Sequence, residues 1–468
     1  MLLWSDDHGT PDCGGLTRRD FLRVGAVGLS GLTLPWWLRQ NAIAKEAGVP
    51  DYVKDKAVVL LFCCGGPSQF ETFDPHMEAP APACSLTGEI KTKLPGVTFG
   101  ATFEKLAKRA DRLAVVRSYA PHDISDHAKA IKHVLTGGNA LGHESGLGVF
   151  YSRLTGQAYD SAGCPTFTRL IEDELEDEYR QDRDRMLSGN RAGGLGPAFA
   201  PFDPLNGSGL DSDLNLNLPL SRLEDRRGLR GELDRLRRLA DLSPALSASD
   251  KHRQQAVELL LGGSARKALD LSAEDPKIVA RYSTEHLKTG WLSRRPSTLG
   301  HRMLMARRLV EVGCRFVTVG MAGWDNHGNG KHPGVVAGTR MLGSQLDHAV
   351  SAFLDDLKAS GLDKKILLVI TGEFGRTVAI QAKGGRNHWP GLGTLVFAGG
   401  GLEMGQVIGE SETLANVPKT TPYKLEHLVG TLLRFGFDPG KLRLDTGLPL
   451  ELVQLVETNK PITELGLG

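Results

Sequence analysis

Four stretches of the sequence concentrate the residue types that bind cations or move protons. Residues 65–75 carry Ser68, Thr72 and Asp74, and residues 118–127 carry Ser118, His122, Asp123, Asp126 and His127. Residues 323–329 read Gly-Trp-Asp-Asn-His-Gly-Asn and offer Asp325 and His327, while residues 371–390 offer Glu373, Arg376 and His388. Carboxylate oxygens and imidazole nitrogens brought together from separate loops are donors that a transition metal takes. A divalent metal on Asp325, His327 and His388, joined by Asp74 and His127, would polarise an ester oxygen or activate a water. Arg376 would hold an oxyanion such as phosphate or sulfate in its planar fork. Glu373 is a further ligand or a general base. Ser68, Thr72 and Ser118 are candidate nucleophiles, each with the competing role of a turn or cap residue. No pair has the spacing of a helical H-E-x-x-H zinc site, so the grouping rests on topology.

That topology comes from the apolar runs in front of each cluster. Residues 57–62 (AVVLLF), 113–117, 315–319 (RFVTV) and 365–370 are short and rich in β-branched residues, the signature of buried parallel strands. Ligands in open α/β sheets bind just past the carboxyl ends of such strands. Helical periodicity lies between the strands: residues 103–110, 126–135, 299–313 and a long stripe from Leu342 to Leu357 ended by Gly361. Residues 394–398 add a strand whose Gly399, Gly400 and Gly401 make a turn, since no Lys-Ser/Thr follows to form a phosphate loop. A helix over 422–435 closes the chain. Helix alternating with strand implies an α/β fold with a mostly parallel sheet covered on both faces.

The remaining organisation is read from composition. The chain has 468 residues, a formal net charge of +1 and 40% hydrophobic residues, enough for a real core and without the basic excess of a nucleic-acid binder. Six cysteines are too few for a disulfide scaffold and show no zinc-ribbon spacing; Cys63 and Cys64 read as small buried hydrophobes. Residues 1–44 read as a targeting segment: Thr17-Arg18-Arg19-Asp20-Phe21-Leu22, an apolar stretch too short to span a membrane, then Ala42-Ile43-Ala44. The paired arginines resemble a twin-arginine export signal, which implies a periplasmic or otherwise exported protein with no membrane span after cleavage. Residues 45–164 and 296–468 form the two parts of the α/β domain. Residues 165–295, dense in both signs of charge, read as a helical and irregular insertion or cap.

The motifs T-R-R-D-F-L, L-L-F-x-x-G-G-P-S-Q-F-E-T-F-D-P, V-R-S-Y with H-x-x-x-x-H and L-T-G-G, W-D-N-H-G-N, G-E-F-G-R-T and G-R-N-H-W-P-G resemble the DUF1501 family of exported bacterial proteins. The resemblance runs over nearly all of the chain past residue 44. It implies the alkaline phosphatase/sulfatase-like superfamily, a three-layer α/β/α sandwich with metal ligands at strand ends. On that pattern Asp74, or Ser68 in its stead, matches the acidic residue after the first strand, Asp325 and His327 a later ligand pair, and His388 the final ligand. His127 stands where a Ser, Thr or Cys nucleophile is usual, and Phe374 where a second ligand is usual. No C-x-P-x-R motif is present, which argues against a formylglycine sulfatase. The resemblance implies a metal-dependent hydrolase of phosphate or sulfate esters, the metal being zinc ahead of calcium or manganese. Its substrate would be a small molecule or a glycan. The alternative is an inactive binding or scaffold protein on the same fold, partnered by exported cytochrome-type DUF1549/DUF1553 proteins.

Overall fold

A computed structural model describes residues 49–140, 142, 144–156, 164–172, 179–196, 199–205 and 264–467 of the protein. The targeting segment at 1–44 and residues 206–263 of the expected insertion lie outside them. All described residues belong to one compact unit, Val49–Asp225 with Gln255–Gly468.

The elements that matter for the site are nine strands and seven helices. The strands are β1 (Ala57–Cys63), β2 (Leu113–Val116), β3 (Phe167–Leu170), β4 (Phe316–Met321), β5 (Ile366–Thr371), β6 (Gly375–Ile380), β7 (Arg386–Trp389), β8 (Leu395–Gly399) and β9 (Gln406–Ile408). The helices are α1 (His127–Leu135), α2 (Leu147–Thr155), α3 (Arg180–Gly189), α4 (Leu299–Glu311), α5 (Val335–Ala359), α6 (Leu425–Gly436) and α7 (Leu450–Thr458). Seven strands form one sheet in the order β9-β2-β8-β5-β1-β4-β3. β1 pairs in parallel with both β4 and β5, and β8 alone runs against its neighbours β5 and β2.

β1 lies at the centre because every residue of AVVLLFC is buried, so it needs cover on both sides. Side chains alternate across a strand. Ala57, Val59, Leu61 and Cys63 therefore pack with α4 and α5 through residues such as Met303, Leu309, Leu342 and Phe353. Val58, Leu60, Phe62 and Cys64 face α1, α2, α6 and α7 through Val134, Phe150, Leu432 and Val456. The result is a three-layer α/β/α sandwich with a mostly parallel sheet, as the alternation of strand and helix implies. Cys63 and Cys64 are buried free thiols. Among the described residues no helix is long and apolar enough to cross a membrane.

The boundary expected at 165 needs correction. Phe167–Leu170 is the edge strand β3, in parallel register with β4, so the sheet has already resumed there. Its run FTRL is too short and too polar for periodicity to mark it as a sheet strand.

Past β5 the chain leaves the main sheet as the hairpin β6–β7, in which Arg376 sits directly opposite His388. The hairpin is riveted by Arg386, whose side chain is fully buried. Its guanidinium donates to the carbonyls of Pro82, Cys84, Thr377 and Val378, lies 3.2 Å from Glu71 Oε1, and stacks 4.3 Å over the Phe70 ring. Removing one partner of such a pair leaves an uncompensated buried charge. Arg386→Ala is expected to lower unfolding stability by about 3–5 kcal/mol in a urea titration; a loss under about 1 kcal/mol would show that the hairpin is held by other contacts.

Candidate metal centre

Three polar loops at the carboxyl ends of β1, β4 and β5 meet above the sheet. The loop after β1 makes the approach possible. Gly65 has φ +110°, and a Cβ there would fall 2.4 Å from the backbone nitrogen of Asp325. Only glycine tolerates both the left-handed backbone and that proximity. Gly65 N donates to Glu373 Oε1 at 2.9 Å, and Trp324 N donates to the carbonyl of Cys64 at 3.0 Å, which ties the three loops together. Trp324 is buried and anchors its loop. A fourth contributor comes from α1, where Asp126 caps the helix by accepting from Lys129 N and leaves His127 as its first, buried residue.

These loops bring His127, Asp325, His327 and His388 together, with one ligand atom from each lying within 4.8 Å of all the others. Asp325 Oδ1 is 3.1 Å from His127 Nε2, 3.0 Å from His327 Nε2 and 3.3 Å from His388 Nε2. His327 Nε2 and His388 Nε2 are 2.8 Å apart. A tetrahedral zinc site with bonds of about 2.0–2.1 Å has neighbouring ligand atoms about 3.3 Å apart, close to this spacing.

The other ring nitrogens say which atoms carry lone pairs. His127 Nδ1 lies 2.6 Å from Glu373 Oε1, and His388 Nδ1 lies 2.7 Å from the carbonyl of Ser125. Both partners only accept, so both Nδ1 atoms donate and both Nε2 atoms present lone pairs inward. His327 Nδ1 faces Gln381 Oε1 at 3.4 Å, the same arrangement in weaker form. His127 Nε2 is buried with no hydrogen-bond partner of acceptable geometry, although Asp325 stands beside it. Lone pairs aimed at one point repel unless a cation occupies it. Outer partners on each imidazole are also the usual support of a metal-binding histidine. The cluster can therefore bind a metal, and three nitrogens with one oxygen suit zinc, whereas calcium requires six to eight oxygens.

Electrostatics agree. Burial would raise the Asp325 carboxyl, but the adjacent imidazoles of His127, His327 and His388 and the charge of Arg376 hold it well below the usual carboxylate range. Burial would lower His127, yet Asp325 and Glu373 on either side raise it to about 9. Two carboxylates flanking one imidazole thus create a strong demand for positive charge, which a proton or a metal ion can meet.

Several residues take roles that their types alone did not reveal. Arg376 is fully buried and donates to Gly66 O at 2.9 Å, Arg386 O at 3.0 Å, Gly65 O and Asp325 Oδ1 at 2.7 Å. A guanidinium so engaged cannot fork an external phosphate or sulfate; Arg376 instead braces the ligand carboxylate. Glu373 is outside the ligand group and orients His127. Ser68 is buried, with its Oγ lacking a hydrogen-bond partner, so no base activates it. Phe374 lies 4.8 Å from the His388 ring and 4.9 Å from the His127 ring, placing hydrocarbon where the resemblance puts a second ligand.

Asp74 belongs to a different cluster. Its Oδ1 is 3.1 Å from Arg117 Nε, its Oδ2 is 3.2 Å from His76 Nε2, and Ser411 Oγ donates to it at 2.5 Å. The strand-end rule placed Asp74 near the metal because it cannot tell which way a loop turns. Conversely, Asp182 on α3 escaped notice within a charged run. It is buried, its Oδ2 has no hydrogen-bond partner among the described residues, and burial with the nearby Glu373 charge pushes its carboxyl up to about 6. The available clue was its spacing: Tyr179, Asp182, Met186 and Gly189 recur on one helix face, and all four are buried.

The chain matches the family described as protein of unknown function (DUF1501) over residues 55–465, and it belongs to that family. No curated protein matches the sequence. Among solved structures, a sulfatase from Pseudoalteromonas sp. aligns at 13% identity and a TM-score of 0.36, covering 97% of this chain and 76% of that one. A lipoteichoic acid synthase from Listeria monocytogenes aligns at 11% and 0.36, covering 86% and 81%. The C-terminal periplasmic domain of EcEptC from Escherichia coli, in complex with zinc, aligns at 9% and 0.34, covering 86% and 89%. Likenesses this faint carry no argument about activity.

Two outcomes follow. Gly65→Ala is expected to push the Asp325 loop aside and lower zinc affinity by about 10–100-fold, read by competition with a chromogenic chelator; unchanged affinity would mean that the loop contact does not position Asp325. The second concerns His76. Burial would lower its pKa, but the Asp74 hydrogen bond and charge raise it above its ordinary 6.5. Its stabilisation is then complete below pH 6.5 and lost as pH rises through the folded-state value. His76→Gln should shrink the difference in unfolding free energy between pH 6 and pH 9, and an unaltered difference would exclude the pair as its source.

Proposed function

We propose that the protein is an exported, single-metal hydrolase of phosphate or sulfate esters, of the alkaline phosphatase/sulfatase-like type, with zinc as its metal. The observation that carries this reading is the convergence of three imidazole Nε2 atoms and Asp325 Oδ1 on one point. A bound zinc ion would polarise the ester and acidify a water. The chain's own groups do the rest. Arg376 and Glu373 fix the charge and orientation of Asp325 and His127, and Phe374 keeps the inner wall dry. Asp182 is available to hold or release a proton at its unpartnered Oδ2. With Ser68 buried and His127 Nε2 among the ligands, water is the nucleophile on this reading. The side chains of His327 and His388 remain 18% and 24% exposed, which leaves that side of the site open to substrate.

One observation favours the second reading. Four protein ligands resemble the closed shell of a structural zinc site, whereas catalytic sites commonly use three. A noncatalytic binding protein on the same fold, perched among exported cytochrome-type DUF1549/DUF1553 partners, would need no open position. Turnover of p-nitrophenyl phosphate and p-nitrophenyl sulfate by zinc-loaded protein separates the two. The hydrolase reading expects release of p-nitrophenol from one of them, reduced by at least about 100-fold in His388→Ala. Stoichiometric zinc with no turnover of either ester above a zinc-only control would favour the binding protein. The twin-arginine reading has its own check: replacing Arg18 and Arg19 by lysine should keep the protein in the cytoplasm.

A further inference from the structure

A pair of clefts away from the metal cluster lies along α5. Two clefts of about 410 Å³ each adjoin there and share His286, Leu287, Arg340 and Ser344. One adds Lys288, Trp291 and Arg294, and the other adds Lys105. Lys105, Lys288, Arg294 and Arg340 are all exposed. Among the described residues, Lys288, Arg294 and Arg340 form no ion pair, and Lys105 Nζ is engaged by the neutral partner His348 Nδ1. Asp347 offsets them in part, with its two oxygens turned to the backbone N–H groups of Lys105 and Leu106, from which they accept at 3.0 and 2.7 Å. Among the described residues, Glu104 is the other carboxylate lining the clefts.

The clefts are coupled to the metal-centre loop by packing. α5 starts at Val335, soon after the loop bearing Asp325 and His327. A Cβ on Gly338 would lie 2.0 Å from Asn326 Oδ1, so the first turns of the helix press on that loop. From Ala337 to His348 the helix rises about 16 Å, which is longer than a lone phosphate or sulfate needs. On the far wall, Trp291 N donates to Tyr179 Oη at 3.1 Å, and the Tyr179 ring backs Gly323 in the same loop. Cations spaced along a groove, with Trp291 and His286 offering flat rings, fit a chain that carries separated anionic groups on sugar units. A duplex or single-stranded nucleic acid is disfavoured by the overall charge of +1.

We propose that this cleft, packed against the loop that carries Asp325 and His327, binds an anionic glycan bearing sulfate or phosphate groups along its length. The inference deepens the hydrolase reading by naming the substrate class, and its binding test is separate from turnover. Calorimetry with short dextran sulfate against neutral dextran should show binding of the sulfated chain alone. The double variant Arg294→Glu, Arg340→Glu should weaken it by at least about tenfold while zinc content and p-nitrophenyl ester turnover stay as in the wild type. Lys288→Ala with Arg340→Ala gives the same direction should charge reversal prevent folding, as judged by circular dichroism. His388→Ala should bind dextran sulfate within about twofold of wild type, so a failed hydrolase reading leaves this result standing. Undiminished binding by the charge variants, loss of binding in His388→Ala, or equal affinity for a thymidine oligonucleotide would each overturn the proposal.

Discussion

One carboxylate oxygen organises the centre of this protein. Asp325 Oδ1 is approached by three imidazole Nε2 atoms at 3.0–3.3 Å and by the Arg376 guanidinium at 2.7 Å. A buried carboxylate is costly without partners, and here the partners come from three separate parts of the chain: α1, the loop after β4 and the β6–β7 hairpin. Arg376 neutralises the charge from within the fold, while the imidazoles leave a point at which a further cation is stabilised. The rest of the architecture can be understood as what is needed to bring these atoms within about 3 Å of one another.

That constraint explains features that otherwise look unrelated. Gly65 lacks a side chain because the Asp325 backbone occupies its space, and Gly385 meets the carbonyl of His327 in the same way. The hairpin of β6 and β7 sets Arg376 opposite His388, so the brace and the ligand move as one unit. Arg386 fixes that hairpin from beneath through carbonyls and Glu71. Two buried arginines thus serve the site without reaching the surface. Positioning on strand ends, supported by side chains that are themselves locked, gives the precision a metal site requires.

Much of this was legible in the sequence. The runs 57–62, 315–319 and 365–370 announce buried parallel strands, because a strand covered on both faces has no polar positions to spare. The strand-end rule then collects Asp325, His327 and His388 at one edge. The direction of each side chain past the strand was not legible. Arg376 has the chemistry of an anion fork, but the carbonyls of residues 65, 66 and 386 absorb its donors. Asp74 turns towards Arg117 and His76, and Asp182 hides within a run of charge that reads as solvated surface. These outcomes are decided by tertiary packing, for which local periodicity has no signal. Phe374 is the converse case: that it stands where a second ligand is usual was visible, and its ring lies against both imidazoles.

The central claim is that three imidazoles and one carboxylate define a single cation site. X-ray absorption at the zinc edge, on protein loaded with one equivalent of zinc, tests this most directly. The account predicts a first shell of nitrogen and oxygen at about 2.0–2.1 Å, with the outer-ring scattering of three imidazoles and no metal–metal distance. A sulfur shell near about 2.3 Å, fewer than two imidazoles, or failure to retain zinc on desalting would contradict it.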